Sequence, residues 1–188
     1  MMKALRNSGT RIAVALAGAG VLFLGAYLLA LPDTPDARTG DGSPRLVAGE
    51  TATIQRVVDG DTIIVHRNGA TGTDRVRLIG IDTPELGHRN GPDECYGTEA
   101  TALLSSLLPE DTEVELRPDP TQLQVDKYGR LLRHIQIPET NTNVVLELLG
   151  AGAGPEYTYD KPYQGQAGYR AAEAAARSQA AGYWGACR

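Results

Sequence analysis

The chain has 188 residues, with 18 Lys and Arg against 23 Asp and Glu and an ordinary 41% of apolar residues. That length holds one domain plus a tail or leader. Two cysteines and three scattered histidines exclude a typical zinc centre, and the acidic balance counts against tight non-specific binding to nucleic acid.

Lys3, Arg6 and Arg11 precede twenty uncharged residues, Ile12 to Leu31. A run of that length just spans the hydrocarbon core of a bilayer, whereas the apolar region of a secretory signal is usually shorter, roughly 7–15 residues. Basic residues ahead of the run keep the N-terminus in the cytoplasm and place the rest outside. The expectation is a cytoplasmic segment over 1–11 and a transmembrane signal anchor over 12–31. A cleaved signal peptide is the alternative, which would make the protein secreted rather than attached to the cell membrane. Residues 32–45 are rich in Pro, Asp, Gly, Thr and Ser and read as a flexible linker. The folded domain is expected over 46–188.

Thr51 to Val58 and Thr62 to Arg67 read as strands around an Asp59-Gly60 turn. Arg75 to Ile81 alternates charged and apolar residues as a half-buried strand does. Asp82 to Pro92 reads as a surface loop. Ala100, Leu103, Leu104, Leu107 and Leu108 follow helical spacing, with Thr98 as the expected cap and Pro109 as the stop. Glu113 to Arg117 and Arg130 to Ile137 read as strands, Val144 to Leu149 as a short apolar helix, and Gln166 to Ala181 as an alanine-rich helix ending at Gly182. Five strands interleaved with three helices suit a mainly β (α+β) domain, a small antiparallel barrel with helices packed on it. Cys95 and Cys187, an even count in an exported segment, read as one disulfide.

Chemistry concentrates in four places. Asp59-Gly60-Asp61-Thr62 and Asp82-Thr83-Pro84-Glu85 are two acidic stretches. Arg77 lies five residues before Asp82, and Arg130 closes Asp126-Lys127-Tyr128-Gly129-Arg130. An EF-hand is excluded, because Ile63 and Ile64 fall where a ligand and the required glycine should be. Asp61, Asp82 and the Thr83 carbonyl can still supply hard oxygen ligands from two loops, which favours calcium or magnesium. Glu85 is placed to act as a general base on an attacking water. Arg77 and Arg130 are planar, permanently charged donors that match the equatorial oxygens of a phosphoryl transition state. Tyr157 and Tyr159 alternate, so they share a face of an extended segment and can stack on bases, with Tyr128 and Tyr163 nearby. Lys127 and Lys161 are candidate phosphate contacts. His66, His88 and His134 read as surface or structural. No G-x-S-x-G, H-E-x-x-H or phosphate-binding glycine loop is present.

At these residues the sequence resembles the staphylococcal nuclease (thermonuclease) family, from about Thr53 to Trp184. The motifs that carry the resemblance are Val57-Val58-Asp59-Gly60-Asp61-Thr62, the run Arg77-Leu78-Ile79-Gly80-Ile81-Asp82-Thr83-Pro84-Glu85, Tyr96-Gly97 with Glu99-Ala100, and Asp126 to Arg130. The resemblance implies a five-stranded OB-fold barrel with three helices. It also implies calcium-dependent hydrolysis of DNA and RNA, single strands preferred, leaving 3′-phosphates. Asp61 and Asp82 match the calcium carboxylates, Thr83 the carbonyl ligand and Asp59 a carboxylate just behind the metal. Arg77, Glu85 and Arg130 match the catalytic residues. Lys127, Tyr128, Tyr157 and Tyr159 match positions that touch substrate. A monomer is expected. Two rival readings stay open: an OB-fold that grips single strands without cutting, and a structural calcium domain on the cell surface.

Overall fold

The computed structural model describes residues 49–87 and 91–187. The chain divides into two units, Met1–Ser43 and Pro44–Arg188, and every described residue belongs to the second. The expected anchor and linker, and His88, lie outside the described residues. Among the described residues no helix is long and apolar enough to cross a membrane.

Strands β1 (Glu50–Asp59), β2 (Thr62–Arg67) and β3 (Asp74–Leu78) form an antiparallel meander. Helix α1 (Gly97–Leu107) follows, then β4 (Glu113–Arg117) and β5 (Leu131–Ile137). β4 pairs antiparallel with both β1 and β5. The barrel closes where β5 runs parallel to β3, with Val76 opposite Leu131 and Arg77 opposite Leu132. The result is a closed five-stranded barrel, consistent with the OB-fold expectation. A two-residue strand, β6 (Thr142–Asn143), adds to β5 and leads into α2 (Val144–Gly150), α3 (Gln166–Ser178) and the single turn α4 (Tyr183–Ala186).

Period-two alternation fills the barrel. Ala52 and Ile54 of β1, Ile63 and Val65 of β2, Val76 and Leu78 of β3, Val114 and Leu116 of β4 and Ile135 of β5 are each at most 1% exposed. Burying each large aliphatic side chain contributes about 1.5–3 kcal/mol. Leu104 and Ala100 of α1 and Leu148 and Leu149 of α2 extend this core.

Several boundaries differ from the sequence expectation. β3 ends at Leu78, and Ile81 makes an isolated antiparallel bridge to Glu156. Thr98 is not the cap of α1. The helix begins at Gly97 after a left-handed Tyr96, and the Thr98 hydroxyl donates to Asp93 Oδ2 at 2.7 Å. Helix α3 stops at Ser178, because Ala180 turns left-handed (φ 49°) and its successor Ala181 donates back to Ala176. Short β6 and α4 carry no periodic signal and were not expected. Asn143 makes the turn into α2 by accepting the Leu146 amide at 3.1 Å, the usual work of an N-cap asparagine.

Candidate active site

The tight turn from β1 to β2 presents Asp59 and Asp61. Gly60 is required there by a close approach: a Cβ would sit 2.5 Å from Thr83 Oγ1 and 2.9 Å from Ala100 Cβ. The turn therefore packs directly on the loop that follows Ile81, and so brings the two acidic stretches together.

Asp61 is 3% exposed. Its Oδ2 accepts the Thr83 amide at 3.0 Å and pairs with Arg77 Nη1 at 2.9 Å, while Oδ1 accepts the Thr62 hydroxyl at 3.0 Å. The backbone amide of Asp61 donates to Asp59 Oδ1 at 3.2 Å. Arg77, on β3, also donates from Nη1 to the Ile81 carbonyl at 2.7 Å and from Nη2 to Asp82 Oδ1 at 2.6 Å. One guanidinium thus ties both acidic loops. Asp82 is the more open of the two carboxylates, and its amide donates to the Pro155 carbonyl at 3.1 Å.

Four carboxylates, those of Asp59, Asp61, Asp82 and Glu85, gather around Arg77. The imbalance shows in two of them, Asp61 and Glu85. Burial pushes the Asp61 carboxyl up to about 7; the Asp59 charge adds to the rise, and Arg77 offsets only part of it. The Glu85 carboxyl is likewise raised, first by partial desolvation in the cleft and then by Asp59, with Arg77 pulling the other way. A carboxylate cluster short of positive charge, with Asp59 and Asp61 buried and Asp82 and Glu85 exposed, is an environment that a hard cation relieves, and oxygen donors suit calcium or magnesium. Among the described residues no group of three or more His, Cys, Asp or Glu side chains is arranged to hold a metal by itself. Asp61 and Asp82 meet instead on one guanidinium, Arg77, through Nη1 and Nη2.

Arg77, Asp82 and Glu85 open onto a cleft of about 490 Å³ whose other walls include Arg130, Lys127, Tyr128, Tyr157, Tyr159 and Lys161. Asp59, Asp61 and Thr83 lie buried behind this surface. Arg130 is aimed by Asp126, which accepts Arg130 Nε on Oδ2 at 2.7 Å and the Tyr128 and Arg130 amides on Oδ1, both at 2.9 Å. Those donors more than offset the burial that would otherwise raise Asp126, so its carboxyl stays below the usual range. Tyr128 lies under both Lys127 Nζ, 4.9 Å from its ring centre, and the Arg130 guanidinium at 5.4 Å. The Tyr157 and Tyr159 rings are 6.4 Å apart and stay exposed, as alternation implies.

Tyr163 differs from the other tyrosines. Its ring is 6% exposed and its hydroxyl donates to Glu156 Oε1 at 2.7 Å, so it is part of the wall rather than a stacking platform. His66 is exposed, with Nδ1 against the Gly72 carbonyl. His134 is structural, held between Asp119 and the Tyr169 hydroxyl at 3.1 Å each. Cys95 and Cys187 are joined in a disulfide. The sequence reading assigned no role to Asp126 or Asp119. Asp126 stood inside a motif that was read for its arginine and lysine. Asp119 makes a local turn with Thr121, but the partners that give it its role, His134 and Gln164, are 15 and 45 residues away.

The family described as "Staphylococcal nuclease homologue" matches residues 75–186. The thermonuclease of Staphylococcus intermedius is 36% identical over 129 residues, which cover 66% of this chain and 74% of that protein. The thermonuclease of Staphylococcus hyicus is 33% identical over 115 residues, 61% of this chain and 65% of that one. Endonuclease YhcR of Bacillus subtilis (strain 168) is 34% identical over 139 residues, 70% of this chain but 11% of that much longer protein. Closed barrel, converging acidic loops and sequence likeness over most of the folded unit agree: the chain belongs to the staphylococcal nuclease family.

Proposed function

We propose that this protein is a calcium-dependent nuclease that hydrolyses phosphodiester bonds of DNA and RNA, prefers single strands and leaves 3′-phosphates. The observation that carries the reading is the convergence of Asp61 and Asp82 on Arg77, at one end of a cleft that Glu85 and Arg130 also line. Family membership and relatives named thermonuclease and endonuclease support it. The basic flank ahead of the Ile12 to Leu31 run, together with the disulfide, supports action outside the cytoplasm.

Asp61, Asp82 and the Thr83 carbonyl would hold the calcium, with water and substrate oxygens completing its shell, and the ion would supply a hard positive charge to polarise the scissile phosphoryl group. Arg77 and Arg130 bind the equatorial oxygens from two sides and stabilise the charge that grows there. Glu85 accepts a hydrogen bond from the attacking water and takes its proton as the new P–O bond forms and the P–O5′ bond breaks, the 5′-oxygen leaving as a hydroxyl with a proton from solvent; the raised pKa of Glu85 brings it nearer to that task at neutral pH. Tyr128, Tyr157 and Tyr159 offer ring faces to the bases without choosing among them, and Lys127 and Lys161 meet flanking phosphates.

The deciding experiment is digestion of single-stranded DNA by the purified chain with calcium, with magnesium and with chelator, side by side. Release of acid-soluble nucleotides with calcium, abolished by chelator, is expected. Retention of the strand without release would assign the OB-fold a binding role. Thermal stabilisation by calcium with neither cutting nor binding would assign a structural one.

A further inference from the structure

The segment just before α1 grips the backbone of Glu85 at two points. The Glu94 amide donates to the Glu85 carbonyl at 2.9 Å, and the Glu85 amide donates to Glu94 Oε2 at 3.0 Å. One step further along the same loop, the Gly87 amide donates to Asp93 Oδ1 at 2.8 Å. Helix α1 closes the cradle from beneath: a Cβ on Gly97 would lie 2.7 Å from the Glu85 carbonyl oxygen. Residue 95, between the gripping Glu94 and that helix start, is the cysteine bonded to Cys187, 92 residues away. The far end of the bridge is itself fixed, because Tyr183 donates to the Gly152 carbonyl at 2.8 Å and the Cys187 amide to the Tyr183 carbonyl at 3.0 Å.

The bridge is therefore joined, through one residue, to the backbone of Glu85, which carries the carboxylate that the proposed reaction uses as its base. Cys95 is exposed, so a soluble dithiol can reach it. We propose that Glu94 and the Cys95–Cys187 bridge act as a redox-sensitive latch that positions Glu85, so that turnover is high with the bridge closed and low with it open. The inference rests on the nuclease reading above. Opening the latch is a two-electron exchange. A thiolate of a dithiol reductant attacks one sulfur and expels the other cysteine as a thiolate; the second thiol of the reductant then attacks the mixed disulfide and expels the remaining cysteine, so that two cysteine thiols and one cyclic disulfide remain. The enzyme is then muted in a thiol-reducing compartment and released to act in an oxidising one.

Glu94 is a positioning residue, so its loss should act on kcat rather than on substrate affinity. A base displaced by about 1 Å can cost on the order of 100-fold. The test follows kcat and KM on single-stranded DNA with calcium for the full chain, oxidised and after dithiothreitol, and for Cys95→Ser/Cys187→Ser, Glu94→Ala and Glu94→Gln. Near-ultraviolet circular dichroism on the same samples gives the folded fraction, so that rates are per folded molecule.

The expected result is a loss of kcat of about 10- to 100-fold on reduction, recovered on reoxidation, with KM within about twofold. Glu94→Ala should show the same loss with the bridge intact. Glu94→Gln, which keeps an acceptor oxygen, should retain most of the turnover. A reduced and folded chain that cuts at the oxidised rate would overturn the latch, as would full turnover in Glu94→Ala. If reduction unfolds the chain, the Glu94 pair decides alone. Absence of cutting by the oxidised wild type would overturn the nuclease reading itself, and the latch with it.

Discussion

Arg77 is engaged before any substrate arrives. Nη1 and Nη2 hold Asp61, Asp82 and the Ile81 carbonyl, so on the proposed reading the guanidinium occupies the carboxylates that a cation would take. A cation that takes over Asp61 and Asp82 frees Arg77 to meet a phosphate. Arg130 is arranged differently: Asp126 holds its Nε edge and leaves the Nη edge for an oxyanion. Lysine cannot reproduce either fork. Arg77→Lys and Arg130→Lys should therefore each lower kcat by about 10²–10³ with the circular dichroism spectrum unchanged, and undiminished turnover in either would remove that residue from the machinery. On the proposed reading, the Asp61 carboxyl sets the pH dependence of cation binding. Burial raises its folded pKa to about 7, above the usual carboxylate range. Without a cation, the protonated form favours the fold, and that contribution fades as pH rises from about 4 through 7. A cation takes the ionised form, so its affinity should climb with pH and level off above about 7. Calorimetry in buffers of different ionisation enthalpy should register proton release near pH 6, and Asp61→Asn should abolish that release. No buffer dependence in the wild type would contradict the assignment of Asp61 as a ligand.

At the scale of elements, the cleft is a joint between the barrel and the strap formed by residues 156–164. Asp119, 1% exposed, is the pin. Its carboxylate accepts from the Thr121 amide and hydroxyl, His134 Nε2 and the Gln164 amide, and the same Thr121 hydroxyl oxygen lies 2.9 Å from the Pro162 carbonyl. Asp119→Ala would leave those donors unpaired and should cost about 3 kcal/mol in urea unfolding, while raising KM through the loosened Tyr157 and Tyr159. The acid response has one sign at both partners. Burial raises Asp119, but its donors win and hold it below the usual carboxylate range, so its contribution is complete above about pH 4 and is lost as pH falls through the lowered value. Burial lowers His134, so the unfolded chain takes the proton more readily than the fold, and stability also declines as pH falls below about 6.5. His134→Gln should flatten the decline just below that pH; an unchanged slope would show that His134 does not contribute. Nothing in the sequence near residue 119 announced this pin. Strands β1, β2 and β4 were legible because half-buried strands alternate, and α1 and α2 because their leucines and valines recur at helical spacing. The parallel closure of β3 on β5, the short β6 and α4, and the roles of Asp119 and Asp126 depend on partners distant in the chain or on single turns, which leave no period to read. The acidic pair and the arginines were legible for a different reason: their chemistry is local even though their meeting is not.

For the whole molecule, net charge sets the terms on which a polyanion is held. The four basic and three acidic residues ahead of Arg45 leave 14 Lys and Arg against 20 Asp and Glu in the rest of the chain. A domain of that sign repels a strand at a distance and must hold it by local contacts. The cleft offers four cationic side chains, Arg77, Arg130, Lys127 and Lys161, with three exposed tyrosine rings. Counterion release from a single strand contributes a slope of about −0.7 per phosphate contacted, and each stacked base contributes about 1–3 kcal/mol that salt hardly touches. Binding should therefore be stacking-led: log affinity against log salt no steeper than about −3, with Tyr157→Ala or Tyr159→Ala weakening binding at least about fivefold at every salt concentration. The measurement is fluorescence anisotropy of a labelled single strand on Glu85→Gln, which retains the cleft while slowing cutting. A slope of −5 or steeper would demand more phosphate contacts than this cleft contains, and would place a basic surface elsewhere on the chain.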